Sequence, residues 1–293
     1  MFICEICEQK INMIKQIFDT YGFIILTSIF IILFFIETKW KLRRRLQSRF
    51  KRFFINVILS IPAFVLLRFL LIPALIWLAA KNGTWHFGLN FLYDLPTWLE
   101  NIIAFILLDY IIYWWHIILH RMPLMWRFHI VHHTDIDMDV TTAFRFHFGE
   151  LIGSVIFRSA MVLLIGASPL IILIYEIIFE AETQFHHSNT KLPFQFEKLL
   201  NKLIVTPRMH GIHHSIIKKE TDSNYATIFS CWDRLHKTIR LNIHQDDVII
   251  GVPAYRDERE LTVERLLKLP FTKIKGWKDD NRTVNGSKSI LKK

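Results

Sequence analysis

The chain has 293 residues, of which 52% are hydrophobic and 21% charged, with a formal net charge of +10 and 3 Cys. That balance excludes a disordered or collagen-like chain, and three cysteines exclude a small disulfide-stapled scaffold. The apolar residues are gathered into long runs, which points to a polytopic membrane protein.

The first run covers residues 21–36, with Ile17 and Phe18 just before it. It is long enough to cross about 30 Å of hydrocarbon. A cleaved signal peptide fits less well, because no small-residue cleavage site follows. Instead come Glu37 and eight basic residues: Lys39, Lys41, Arg43, Arg44, Arg45, Arg49, Lys51 and Arg52. A short basic loop between two apolar runs predicts a cytoplasmic loop. A nucleic-acid patch is the rival reading, and the flanking spans make the membrane the simpler explanation. The second run, 53–80, is broken by Pro62, Arg68 and Pro73 and predicts a tilted or kinked span. Residues 81–98 are poor in charge and carry Trp85, Phe87, Tyr93 and Trp98, which suits the opposite interface. The third run, 99–119, brings the chain back to the basic side. The N-terminus then lies outside the cytoplasm, where Cys4 and Cys7 could form a disulfide; as a metal motif the pair is half a zinc site at most.

The fourth apolar region, 151–179, is interrupted from Gly166 to Pro169, a turn signal. Either one tilted span or a hairpin of two helices fits. Histidine clusters lie on both sides of it, so a shared site requires the hairpin. From Phe185 onward no span is predicted, and residues 186–293 read as an extension beneath the helices. The stretch 279–293 is expected to fray.

Fourteen His is a high count, and eight of them fall into three tight spacings. His116 and His120 are four apart. His129, His132 and His133 form His-x-x-His-His, and His210, His213 and His214 repeat it. Positions i, i+3 and i+4 share one helix face, so each cluster can aim its rings at one point. Thr206 as N-cap with Pro207 behind it supports a helix at the third cluster, and Pro123 can start the helix of the second. Single histidines at the ends of spans are usually interface residues, and His86, His236 and His244 are read as such. Burying eight rings unpaired is costly and charging them together is worse. Neutral imidazole is a good ligand for Fe, Zn, Cu or Ni. Eight ligands exceed one zinc, and two metals fit. The zinc-protease and carboxylate di-iron patterns are absent. His147 and His187 are further candidate ligands, with Asn189 orienting a ligand from behind. Asp109 either accepts a hydrogen bond from a ligating His or pairs with Arg68. Asp135, Asp137 and Asp139 lack the pattern of a calcium loop and read as a solvated loop.

These motifs resemble the integral-membrane fatty acid hydroxylase and sterol desaturase superfamily. The likeness extends to Asp139 through His147, Phe185 through Pro193, Thr206 through His210, Asn224 through Arg234, and Gly251 through Arg256. It covers about residues 98–270. Ala226, where glycine is usual, and His236-Lys237, where Phe-Gly is usual, depart from it away from the histidine boxes. The apolar runs and the shared histidine site predict an all-α polytopic membrane protein with about three full spans plus a helical hairpin. A cytoplasmic helical cap would carry a histidine-rich dimetal site. Residues 1–98 would form the N-terminal spans and basic loop, 99–270 the catalytic domain, and 271–293 a polar basic tail. Likeness to bacterial members suggests a bacterial inner membrane.

The implied activity is that of a non-haem di-iron lipid hydroxylase or desaturase. Its cofactors would be two Fe ions, with O2 as co-substrate and an external reductant. The ten metal candidates are His116, His120, His129, His132, His133, His147, His187, His210, His213 and His214. No flavin or nicotinamide fingerprint is present, so a ferredoxin or cytochrome b5 type partner is expected. Arg127, Arg208, Lys218 and Lys219 are candidate docking residues. The substrate would be a lipid or sterol-like molecule entering from the bilayer, with no role for nucleic acid. The competing readings are a membrane zinc metallo-hydrolase, a metal transporter or sensor, and a non-catalytic scaffold.

Overall fold

The computed structural model describes residue 16 and residues 18–277. Cys4, Cys7, Ile17 and the stretch 279–293 lie outside the described residues. Within them the fold is all-α, and extended segments meet only in isolated bridges, Lys41 with Thr190, Ile204 with Phe229, and Ser215 with Ile250. Four helical stretches are long and apolar enough to cross a membrane: Thr20–Lys39, Arg49–Phe91, Thr97–Arg121 and Phe148–Ile165. Helices satisfy every backbone hydrogen bond internally, which hydrocarbon demands.

Helix α1 (Phe23–Lys39) is followed by the basic loop and then by α2 (Arg49–Leu66). A π turn, Leu67–Leu71, joins α2 to α3 (Ile72–Trp85) just ahead of Pro73. Proline lacks an N–H and its ring clashes with the carbonyl four residues back, so the widened turn absorbs a break that would otherwise kink the helix. After the 81–98 region comes α4 (Thr97–Arg121), the longest helix. Met122, in an extended conformation, separates it from α5 (Pro123–His133), which Pro123 starts as the sequence suggested.

The apolar region 151–179 is a hairpin. Helix α6 (Phe148–Ile165) ends at Gly166, whose φ of +75° favours glycine. Helix α7 (Pro169–His187) begins after Ser168, whose hydroxyl accepts from the Ile171 N–H. Helices α3 and α4 each pack against both α6 and α7. Their shared core includes Leu75, Ala79, Ala104, Leu108, Ile112, Val162, Ile165, Ile172 and Tyr175. Outside it, Phe35, Phe64, Phe69 and Ile156 point outward and exposed, as lipid-facing residues would.

Short helices form the rest: α8 (Phe194–Leu200), α9 (Pro207–His213), α10 (Lys218–Thr221), α11 (Cys231–Leu235) and α12 (Val263–Lys268). A second core, with Leu59, Ile130, Val131, Val252, Tyr255 and Leu266, fastens α2, α5 and the C-terminal segment together.

The basic loop is built into this layer. Arg43 is buried, donating to the Pro207 carbonyl and the Gln245 side chain. Arg52 is buried too; it grips Asp135 with two hydrogen bonds of 2.8 and 2.7 Å and reaches Asp139 at 2.5 Å. The second Asp137 oxygen accepts from the N–H groups of Leu46 and Gln47. The solvated-loop reading of Asp135, Asp137 and Asp139 is therefore corrected: all three are buried counter-charges or caps. Their partners lie some ninety residues upstream, beyond the reach of local pattern. Asn189 is corrected likewise. It exchanges hydrogen bonds with the Arg43 backbone and its N–H donates to Glu37, touching no histidine.

Candidate metal centre

Nine of the ten candidate histidines converge, in two groups. His116, His120, His129, His133 and His213 form one; His132, His187, His210 and His214 form the other. Within each group the possible ligand atoms all lie within 4.8 Å of one another. All nine residues are buried. The groups adjoin: the rings of His133 and His214 stack at 4.4 Å, and those of His210 and His213 at 5.0 Å.

Helix geometry explains the sorting. The last two turns of α4 deliver His116 and His120, and α5 delivers its trio, with His129 and His133 to one group and His132 to the other. Helix α9 does the same, sending His213 to the five-histidine group and His210 and His214 to the other. A trio at i, i+3 and i+4 spans a wide enough arc to serve two adjacent ions. His187, at the end of α7, completes the second group.

The tautomers follow from what lies behind each ring. His116 Nδ1 lies 2.8 Å from the Tyr225 carbonyl oxygen, and His213 Nδ1 lies 2.7 Å from that of Ser223. His187 Nδ1 lies 2.7 Å from the Thr183 carbonyl and His132 Nδ1 3.3 Å from that of Arg145. His129 Nδ1 meets Glu150 Oε2 at 3.1 Å. Each of these oxygens can only accept, so each Nδ1 carries the hydrogen and each Nε2 presents a bare lone pair.

This arrangement tests whether a metal fits. The Nε2 atoms of His132 and His187 face each other at 3.0 Å. Two lone pairs at that distance repel. Protonating a ring would relieve them, but burial and the neighbouring histidines hold His132 well below the usual imidazole range. The same causes hold down His133, His210, His213 and His214. The Nε2 atoms of His116 and His213 are buried without any protein partner. A cation between the rings resolves both the repulsion and the orphaned acceptors. Each group of histidines is thus able to hold a divalent metal ion.

His147 is not part of either group. Its Nδ1 accepts from the Gly149 N–H at 3.0 Å and its Nε2 faces the Leu267 carbonyl at 3.1 Å. With both nitrogens engaged it caps α6 and has no lone pair left for a metal. Of the adjacent pair, His187 joins the second group, as expected, while His186 stays outside it. Asp109 meets neither of its expected partners: it accepts from the N–H groups of Ile228 and Phe229 and from Trp232 Nε1. The candidate docking residues are largely occupied. Arg127 donates to the carbonyls of Pro270 and Thr272, Arg208 pairs with Glu197, and Lys218 pairs with Asp222.

Sequence reasoning passed over Glu150 as a partner for His129, although its place in the first turn of α6 was visible. It also missed Arg145, whose fully buried side chain donates to the Val131 carbonyl, Asn56 and Thr134 while its own carbonyl orients His132.

Residues 101–238 match the family described as Fatty acid hydroxylase. The chain is 29% identical over 165 residues to alkylglycerol monooxygenase of Homo sapiens, covering 56% of this chain and 35% of that protein. It is 25% identical over 161 residues to cholesterol 25-hydroxylase of Rattus norvegicus, covering 54% of this chain and 53% of that protein. It is 26% identical over 161 residues to an ornithine lipid hydroxylase of Rhizobium tropici, covering 54% and 46%. The matched stretch therefore spans about a third to a half of these relatives' lengths. No solved structure matches the chain.

Proposed function

We propose that this chain, whose residues 101–238 match the fatty acid hydroxylase family, is an O2-dependent di-iron enzyme of that family that hydroxylates an unactivated C–H position of a membrane lipid. The observation that carries the reading is the pair of buried all-imidazole groups with adjoining rings. The nine histidines would hold two ions, five around one and four around the other. When bound, a pair of irons supplies the activation of O2 and the oxidation of the C–H bond. The relatives named above are a monooxygenase and two hydroxylases of lipid-like molecules, which favours hydroxylation over desaturation.

The protein's own part is arrangement. Backbone carbonyls of Thr183, Arg145, Tyr225 and Ser223 keep the hydrogen on Nδ1 and the lone pair on Nε2 of their histidines. Glu150 does this for His129 through a side-chain oxygen. Burial of all nine rings excludes bulk water. The position of the site beneath the ends of α4 and α7 lets an apolar substrate approach from the bilayer.

The basic loop supports a cytoplasmic placement for the site. Arg43 and Arg52 pack directly on the segments that carry or flank the histidines, and a basic loop between spans favours that side. The boundaries 1–98, 99–270 and 271–293 stand as part of this proposal.

The test is a lipid comparison of cells carrying the wild-type chain and His213→Ala, grown under labelled O2. The reading expects a lipid one labelled oxygen atom heavier in the wild type and absent in the variant. A wild-type chain that makes no O2-dependent lipid product in its native cells would overturn it.

A further inference from the structure

The hydroxylation proposed above consumes two electrons, and the structure offers a route for them. The Trp126 ring lies 5.1 Å from His120, 5.5 Å from His133 and 6.2 Å from His129, centroid to centroid. All three histidines belong to the five-histidine group. On its other side Trp126 lies 6.0 Å from Trp277. Both indoles are half-buried, so the pair leads from the buried rings to the surface. Trp277 is fixed there by a hydrogen bond of 2.9 Å from its Nε1 to the Ile216 carbonyl.

The outer end of this path is positively charged. Lys218 Nζ sits over both indoles, at 4.9 Å from Trp126 and 5.1 Å from Trp277. Lys219 is exposed beside it, and Arg121 is 63% exposed. Lys275, half-exposed, is two residues from Trp277. Asp222, which pairs with Lys218 and lies 4.0 Å from Arg121, and Glu260, which pairs with Lys275, offset part of this charge. The balance stays basic.

We propose that Trp126 and Trp277 form the electron entry path to the five-histidine metal site, opening on a basic surface that docks an acidic one-electron carrier protein. This rests on the di-iron reading above. The balance is that of a monooxygenation: R–H, O2, two electrons and two protons give R–OH and water. The carrier gives up its electrons singly, in two encounters, and is oxidised each time. The indoles are neither oxidised nor reduced; electrons tunnel through them because the neighbouring tilted rings replace a longer gap. A second aromatic run reaches the same group through Tyr225, Tyr113 and His236 to Trp114. It surfaces at half-buried His236, beside Trp114 on α4, a membrane-crossing candidate, and among the described contacts no Lys or Arg sits over these rings. Among the described ring contacts, no tryptophan touches the four-histidine group, so electrons reach its ion through its neighbour.

The test uses the purified full chain loaded with iron. Reduction is followed by absorbance with two electron sources, a reduced plant-type [2Fe–2S] ferredoxin and dithionite. Trp277→Leu is expected to lose most of the ferredoxin-driven rate, Trp277→Phe to keep most of it, and both to match the wild type with dithionite and in iron content. The wild-type ferredoxin rate should fall as salt is raised. An unchanged ferredoxin rate in Trp277→Leu overturns the path. A wild type reduced by dithionite but not by ferredoxin overturns the acidic carrier. A wild type with no iron that dithionite reduces sinks the di-iron reading, and the path with it.

Discussion

Glu150 is the one carboxylate within hydrogen-bonding distance of a grouped histidine among the described residues, at 3.1 Å from His129. Glu150→Gln keeps the shape but removes the charge. Loss of such a partner typically weakens metal affinity about 10–100-fold. The variant should lose one ion more readily than the other on dialysis against a chelator, measured as metal per chain. Equal loss of both would contradict a role confined to the five-histidine group. Arg52 answers two buried carboxylates, so Arg52→Ala leaves Asp135 and Asp139 buried and unpaired, at a cost of about 3–5 kcal/mol. A large fall in thermal midpoint in detergent, together with loss of metal, is expected; an unchanged midpoint would refute it. The histidine spacings were legible because i, i+3 and i+4 is a local code. The aspartates were not, because their alternation with Ile136, Met138 and Val140 looks like a loop, while the cation of Asp135 and Asp139 sits on α2 and the N–H donors of Asp137 sit in the loop before it.

Two of the helices that carry ligands are short: α5 has 11 residues and α9 only 7. Isolated helices of that length are marginal in water, so packing must hold them. For α9 the holding residue is Arg43, whose guanidinium lies where a side chain at Gly211 would go. Gly211→Ala therefore forces Arg43 out of its bonds to Pro207 and Gln245. A destabilisation of about 1–3 kcal/mol is expected from such overpacking, read as a lower thermal midpoint; a neutral result would show that Arg43 is dispensable. Gly166 is the corresponding point in the hairpin. The turn was legible from Gly166 and Pro169, and the starts of α5 and α9 from Pro123 and Pro207. That Thr206 makes no side-chain cap bond was not, since the residue type promised one.

At the scale of the molecule, the N-terminal helices are part of the site's foundation. Glu37 accepts from the N–H groups of Val140 and Asn189, Asn56 donates to Thr141 and accepts from Arg145, and Arg43 and Arg52 anchor the loop between. The apolar runs and the basic loop were visible in the composition. Their bonds to residues a hundred positions away were not, because a basic residue looks the same whether it faces lipid headgroups or a buried aspartate. Single-cysteine labelling at Arg44 and Lys219, both exposed, should show the two positions on one side of the membrane. Labelling from opposite sides would break the link between the basic loop and the histidine groups.

The claim under all of this is that nine buried imidazoles gather around two ions. Elemental analysis of the full chain, purified without added chelator, measures it directly. Two irons per wild-type chain, with about one in His187→Ala as the four-histidine group loses a ligand, is the predicted result. A folded, lipid-oxidising chain that holds no iron, or a single ion unaffected by His187→Ala, would contradict it.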